Sequence, residues 1–180
     1  LAYQLNLEAE RSASERLAVG AKLKLEREAG EASTVDSALV RLKWRAPKSG
    51  SGASFAVQAG VGYSFANDAP LTETQAYIGW KGSGWSAVGR FDVEQLLQAG
   101  AEPELGYRLR VARDLGPGIR LGGEAAGDVW TGEPTRHRLG PYLQLPLGGE
   151  TAPTLELGAF AGLSSVSPDM IYRVELEFKF

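Results

Sequence analysis

The chain has 180 residues, 43% of them hydrophobic and 23% charged, with a net charge of -3. It holds no cysteine and one histidine, which excludes disulfides, thiolate metal sites, cysteine nucleophiles and histidine-rich metal centres. The acidic balance excludes a dedicated nucleic-acid binder, and a mean hydropathy of -0.17 without a long uncharged apolar run excludes a transmembrane helix but not a transmembrane β-barrel.

Leu1 leads straight into patterned sequence, as expected of a mature or trimmed chain. The pattern has period two from one end to the other, and no stretch has convincing helical spacing. The first run, Ala2 to Arg11, sets Tyr3, Leu5, Leu7 and Ala9 against Gln4, Asn6, Glu8 and Glu10. Arg16 to Glu28 sets Leu17, Val19, Ala21, Leu23 and Leu25 against Lys22, Lys24 and Glu26. Ser37 to Arg45 sets Ala38, Val40, Leu42 and Trp44 against Arg41, Lys43 and Arg45. Ala53 to Ala66 alternates Phe55, Val57, Val61, Tyr63 and Phe65 with Gln58, Gly60, Gly62 and Ser64. Thr74 to Lys81 has Ala76, Ile78 and Trp80 on its apolar face. Trp85 to Leu97 sets Trp85, Ala87, Phe91 and Val93 against Arg90, Asp92 and Glu94.

Glu104 to Arg113 sets Leu105, Tyr107, Leu109 and Val111 against Arg108 and Arg110. Ile119 to Trp130 sets Leu121, Ala125 and Val129 against Arg120, Glu124 and Asp128. Arg136 to Leu147 sets Leu139, Leu143 and Leu145 against Arg138, Tyr142 and Gln144, and its Pro141 predicts a bulge or a local break in the ladder. Thr154 to Leu163 sets Leu155, Leu157, Ala159 and Ala161 against Glu156 and Phe160. Ile171 to Phe180 sets Tyr172, Val174, Leu176, Phe178 and Phe180 against Arg173, Glu175 and Glu177.

These runs predict eleven strands in a single all-β domain spanning residues 1–180. They are longer than the usual five or six residues of globular strands and match the roughly 9–11 residues of a tilted membrane strand. A soluble sandwich or lipocalin would bury the apolar faces, and a barrel in lipid turns them outward while charges pair in a wet lumen. The expectation is an antiparallel up-and-down transmembrane β-barrel. Leu23, Val40, Val57, Leu109, Leu143 and Leu157 should then point outward, and Lys24, Arg41, Arg108 and Glu156 inward. Single-chain bacterial barrels have even strand numbers, so eleven readable strands suggest a twelve-stranded architecture, with a strand preceding Leu1 or one merged or missed in the pattern, ten strands as the next option, and an odd barrel or closure by another chain as further ones.

The glycine turns Gly82-Ser83-Gly84 and Gly116-Pro117-Gly118 fall at one end of the alternating strands, the periplasmic end of an outer-membrane barrel. Trp44, Phe55, Trp80 and Trp85 flank that edge and read as an aromatic girdle. The final run carries Tyr172, Phe178 and the terminal Phe180 in strict alternation. It resembles the C-terminal assembly signal of Gram-negative outer-membrane β-barrel proteins. That resemblance implies recognition by the barrel-assembly machinery, location in the cell outer membrane, and contact with its lipid and lipopolysaccharide.

The strongest candidate constellation is a basic wall of Lys22, Lys24, Arg41, Lys43, Arg45, Arg108, Arg110 and Arg120. Opposing acids are Glu8, Glu10, Asp92, Glu94, Glu124, Asp128, Glu175 and Glu177. Such walls could orient a small charged solute in a narrow channel. Alternatively the charges pair across strands and fill a closed barrel that serves as a membrane anchor or as a subunit of a larger assembly. Glu26, Asp92, Glu94, Glu124 or Glu175 would reach toward Arg41, Lys43 and Arg45. Inward Gly60, Gly62, Gly106, Gly122, Gly158 and Gly162 leave space or relieve crowding. A catalytic base at His137 would need a serine two residues along the strand, where Leu139 stands. Ser164, Ser165 or Ser167 could approach from the following loop with Asp169, but the spacing does not require it. No enzymatic activity, metal, cofactor or nucleic-acid partner is expected, and Arg136, His137 and Arg138 read as outer-rim cations for lipopolysaccharide phosphates.

Overall fold

Strict alternation over eight or more residues produces strands throughout the chain. A computed structural model describes residues 3–27, 32–47, 52–130, 135–148 and 153–177, and among these there is no helix. The strands are β1 (Tyr3–Ser12), β2 (Leu17–Arg27), β3 (Thr34–Arg45), β4 (Ala53–Ser64), β5 (Ala69–Gly82) and β6 (Trp85–Leu96). They continue as β7 (Glu104–Gly116), β8 (Ile119–Trp130), β9 (Arg136–Pro146), β10 (Thr154–Gly162) and β11 (Met170–Glu177). All eleven lie in one sheet in chain order, each antiparallel to the next. The expected up-and-down arrangement is present. The sheet is not closed among the described residues: its order begins at β1 and ends at β11, with no pairing between those two strands.

The sheet curls strongly toward its charged face. Strands lie about 4.8 Å apart, so β8 and β11 would be roughly 14 Å apart in a flat sheet. Yet Arg173 on β11 holds Glu124 on β8 at 2.6 and 2.7 Å. Lys22 on β2 likewise reaches Glu73 on β5 at 3.1 Å. The charged face is therefore concave and the apolar face convex.

Exposure is inverted relative to a soluble protein. Val40 is 60% exposed and its neighbour Arg41 only 7%. Leu109 and Leu157 are exposed too, while Leu23, Val57 and Leu143 are partly covered by their neighbours on the convex face. Glu156 is buried, and Lys24 and Arg108 are mostly covered. The total accessible area is 11460 Å². A compact globule of this mass would expose roughly 8,400 Å².

Local chemistry sets the turns. Ser83 and Gly84 both have positive φ, 53° and 75°, and join β5 to β6 in the two-residue turn whose twist suits a hairpin. Pro117 and Gly118 join β7 to β8 with Gly118 at φ 74°, the proline–glycine signature of a type II turn. Register slips by one residue between Lys24 and Leu25 opposite β3, and between Asp114 and Gly116 in the β7–β8 hairpin.

One strand expectation is corrected, and the expectation at Pro141 is met by its second form, a local break. β5 begins at Ala69, ahead of the run expected to start at Thr74. There Pro70, Thr72 and Thr74 face outward while Leu71 is buried on the concave face, so the apolar alternation is reversed. At Pro141 there is no bulge. β9 keeps one register against β10, but the ladder runs from Tyr142 opposite Gly158 directly to Leu139 opposite Ala161, skipping the two pairs between. The break is confined to that side, since Pro141 remains opposite Gly123 in the β8 ladder.

Candidate functional site

The concave face is built from alternate residues of all eleven strands, and its charges sort into two clusters. In the first, β3 points Arg41, Lys43 and Arg45 the same way because they are two residues apart. Arg41 makes a fork on Glu8 of β1, with Nη1 to Oε1 at 3.3 Å and Nη2 to Oε2 at 3.0 Å. Lys43 donates to Glu10 at 3.2 Å, and Arg45 donates to the same carboxylate. Lys22 pairs with Glu73, and Lys24 with Asp36 at 2.9 Å. Gln58 Nε2 donates to Gln75 Oε1 at 3.1 Å, Gln75 Nε2 donates to Glu73 Oε1 at 2.6 Å, and Tyr77 donates to Gln75. Arg90 holds Asp92 on its own strand at 2.9 Å.

The second cluster centres on Glu124, which is 0% exposed. Arg173 grips it with both terminal nitrogens, and Nη2 also donates to Glu156 at 2.7 Å. Arg110 donates to Glu156 and lies 3.3 Å from Glu124, and Arg108 lies 3.6 Å from Glu124. Glu175 is 3.7 Å from Arg173 Nε. Three guanidinium groups thus face three carboxylates. Such a balance is what makes buried ions tolerable, because an unpaired one carries an uncompensated desolvation cost. Arg110 stacks over Tyr142 at 3.9 Å and Arg173 over Phe160 at 4.6 Å. Beneath them Ala112, Tyr142 and Phe160 form the buried apolar core, with Ile171 against it.

The acids expected to reach the Arg41–Arg45 wall lie elsewhere. Glu124 and Glu175 belong to the second cluster, and Asp92 belongs to Arg90. The side chains of Glu26 and Glu177 lie outside the described residues, as do Phe178 and Phe180. Arg120 sits at the turn end, paired with Asp114 at 2.9 Å. Glu94 stands directly between Glu73 and Glu104 in register, giving three acids side by side on β5, β6 and β7, with Asp128 opposite Gly106 one step along. Glu73, Glu104, Glu156 and Arg173 were not among the expected site residues. Parity alone puts Arg173 and Glu156 on this face, but their role follows from curvature.

Several inward glycines do make room for these side chains. A methyl group at Gly60 would press on the Arg41 stem, one at Gly106 on the Asp92 carboxylate, and one at Gly158 on the Phe160 ring.

Among the described residues the His137 ring meets no serine hydroxyl. Its ring Nδ1 shares a hydrogen bond of 3.0 Å with the Tyr107 hydroxyl. Ser167 does approach, but it accepts from the His137 backbone N–H at 3.1 Å and donates to the His137 carbonyl at 3.0 Å. Ser164 lies 2.7 Å from Ser167. The serines cap the strand edge instead of meeting the imidazole.

On the convex face Trp44, Phe55, Trp80 and Trp85 are all exposed at the turn end, with Trp44 and Phe55 edge-to-face at 6.3 Å. Sequence reasoning missed a second aromatic group at the opposite end, where Tyr63, Phe65 and Tyr172 are exposed and the Tyr63 and Phe65 rings lie 5.5 Å apart. Comparison with known protein families gives no matching family, and comparison with curated proteins gives no match.

Proposed function

We propose that this chain forms a β-barrel of the Gram-negative outer membrane whose waist is closed by ion pairs, serving as a membrane anchor or as a subunit of a larger outer-membrane assembly. The observation that carries this reading is the Glu124 cluster: a fully buried carboxylate among three guanidinium groups, on the concave side of a sheet whose convex side is apolar and exposed. Water is excluded from that cluster, so a solute has no path through it. The membrane part is supported by the aromatic groups. Phe55 and Phe65 are ten residues apart on one continuous outer face. At about 3.4 Å per residue and a tilt of about 40°, that separation is roughly 26 Å, close to the height of an outer-membrane apolar band. The C-terminal run would engage the barrel-assembly machinery, and Arg136, His137 and Arg138 would meet lipopolysaccharide phosphates at the outer rim.

The test is a planar-bilayer recording on the refolded protein, with insertion checked by heat-modifiable gel mobility. A sealed trace from inserted protein is expected, and stepwise conductance would overturn the closed waist. A narrow channel for small charged solutes is the second reading, favoured by the three adjacent acids Glu73, Glu94 and Glu104. A conducting pore lined by that row would prefer cations, and Glu94→Gln would weaken the preference.

A further inference from the structure

We propose that a row of inward arginines beside the Glu124 cluster, Arg90 on β6, Arg108 on β7 and Arg138 on β9, binds a small soluble oxyanion of the phosphate class. The register sets them in one line across the sheet. Arg90 is directly opposite Arg108, Arg108 is opposite Ala126 of β8, and Ala126 is opposite Arg138. Parity puts the whole line on the concave face, where Ala126 is the small, buried floor between two long side chains. Arg110 and Glu124 are opposite each other one inward step nearer the turn end, so the row lies next to the closed waist and not within it.

Like charges directly opposite one another across strands are destabilising, and this row holds them with few counter-charges to spare. Arg90 spends its Nε on Asp92 at 2.9 Å, and its terminal nitrogens make no hydrogen bond among the described residues. Arg108 meets Glu124 through Nε at 3.6 Å, too long for a hydrogen bond, and that buried Nε has no hydrogen-bond partner. Arg138, half-buried, makes no ion pair or side-chain hydrogen bond among the described residues. The neighbouring acids are engaged elsewhere: Glu124 by both terminal nitrogens of Arg173, Glu8 by Arg41, and Glu175 by Arg173. Asp128, one step further from the turn end, forms no ion pair with Arg108 or Arg138 within 4.0 Å. Glu94 and Glu104 stand four residues along from Arg90 and Arg108, about 14 Å away. That exceeds the roughly 8 Å screening length of physiological salt. What remains is a set of guanidinium forks whose side chains keep 32% exposure at Arg90 and 21% at Arg108. Such forks match the paired oxygens of a phosphate, and one bound oxyanion would relieve the repulsion along the row. Lipid on the convex face has no access to a concave row, so the ligand is a soluble one.

The site depends on the curl of the sheet and goes beyond the outer-membrane reading, so it is tested apart from it. The full chain is refolded into neutral detergent micelles, its fold checked by heat-modifiable gel mobility, and inorganic phosphate titrated by calorimetry at an ionic strength held constant with chloride. A saturable single-site heat is expected. Arg138→Gln removes no ion pair of the fold and should weaken the affinity about tenfold or more, the loss of a charge-assisted hydrogen bond. Arg138→Lys keeps the charge and loses the fork, and should weaken it by less. Arg16→Gln, at an exposed turn residue, should leave it unchanged. No saturable heat from the folded parent, or equal affinity in the parent and Arg138→Gln, would overturn the proposal. Should Arg138→Gln not refold, equal affinity in the parent and Arg138→Lys overturns it instead. Vesicle flotation run alongside separates the two readings: a chain that floats and binds no phosphate refutes this site alone, and one that binds phosphate but does not float refutes the outer-membrane reading alone.

Discussion

Glu124 is the residue on which the concave face depends. Its carboxylate neutralises part of the charge of Arg108, Arg110 and Arg173, all within 3.6 Å, and it has no exposed surface. Glu124→Gln keeps the shape and removes the charge, leaving guanidinium groups stranded in a site that excludes water. Breaking a buried pair in this way costs about 3–5 kcal/mol. Urea unfolding of the refolded protein in detergent micelles should show a correspondingly lower midpoint. Glu175→Gln, at a half-exposed group with a long contact, should change stability by less than about 1 kcal/mol. The sequence placed Glu124 on the inner face by parity alone, and parity was right. It did not name Arg173 as the partner, because a contact between β8 and β11 depends on how tightly the sheet curls, and no local pattern encodes that.

At the scale of the strand, period two was legible wherever one face was uniformly apolar. It failed at the start of β5, where Leu71 is buried inward beneath an outer face of Pro70, Thr72 and Thr74. The ladder break beside Pro141 was legible too, but the close approach next to it was not. Gly140 lies opposite Glu124 in one ladder, and a methyl group there would overlap the Ala159 carbonyl oxygen and crowd Phe160 Cα. Those are backbone atoms and cannot rotate away. Gly140→Ala should therefore destabilise by about 1–3 kcal/mol, as overpacking does. Gly123 faces outward with nothing within 4 Å of an added methyl. Gly123→Ala should stabilise by roughly 0.5 kcal/mol, because it restricts the unfolded chain without meeting anything in the fold. Equilibrium unfolding of both variants checks the sign of each. A register governed by this one close approach predicts opposite signs from the same substitution on two adjacent strands.

For the whole molecule the deciding quantity is the solvent on the convex face. Val40 and Val61 are direct cross-strand partners in mid-strand, 60% and 66% exposed. Beside them on the other face Arg41 is buried. If water bathed the convex face, Val40→Arg would be one more surface substitution, worth within about ±0.5 kcal/mol. If lipid bathes it, a guanidinium at mid-depth costs about 2–4 kcal/mol, falling to about 0–1 kcal/mol near the interface. Trp44, four residues along the same strand and in the aromatic group at the turn end, is the interfacial control. Val40→Arg should thus fold markedly less stably than Trp44→Arg corrected for the lost indole, when both are measured in vesicles. Raising the bilayer's thickness should narrow the difference, since Trp44→Arg is drawn deeper while Val40 already lies at mid-depth. Equal behaviour of Val40→Arg and the parent protein in vesicles would show that the apolar face does not meet hydrocarbon, and would return the sheet to the class of soluble β-proteins with an uncovered surface.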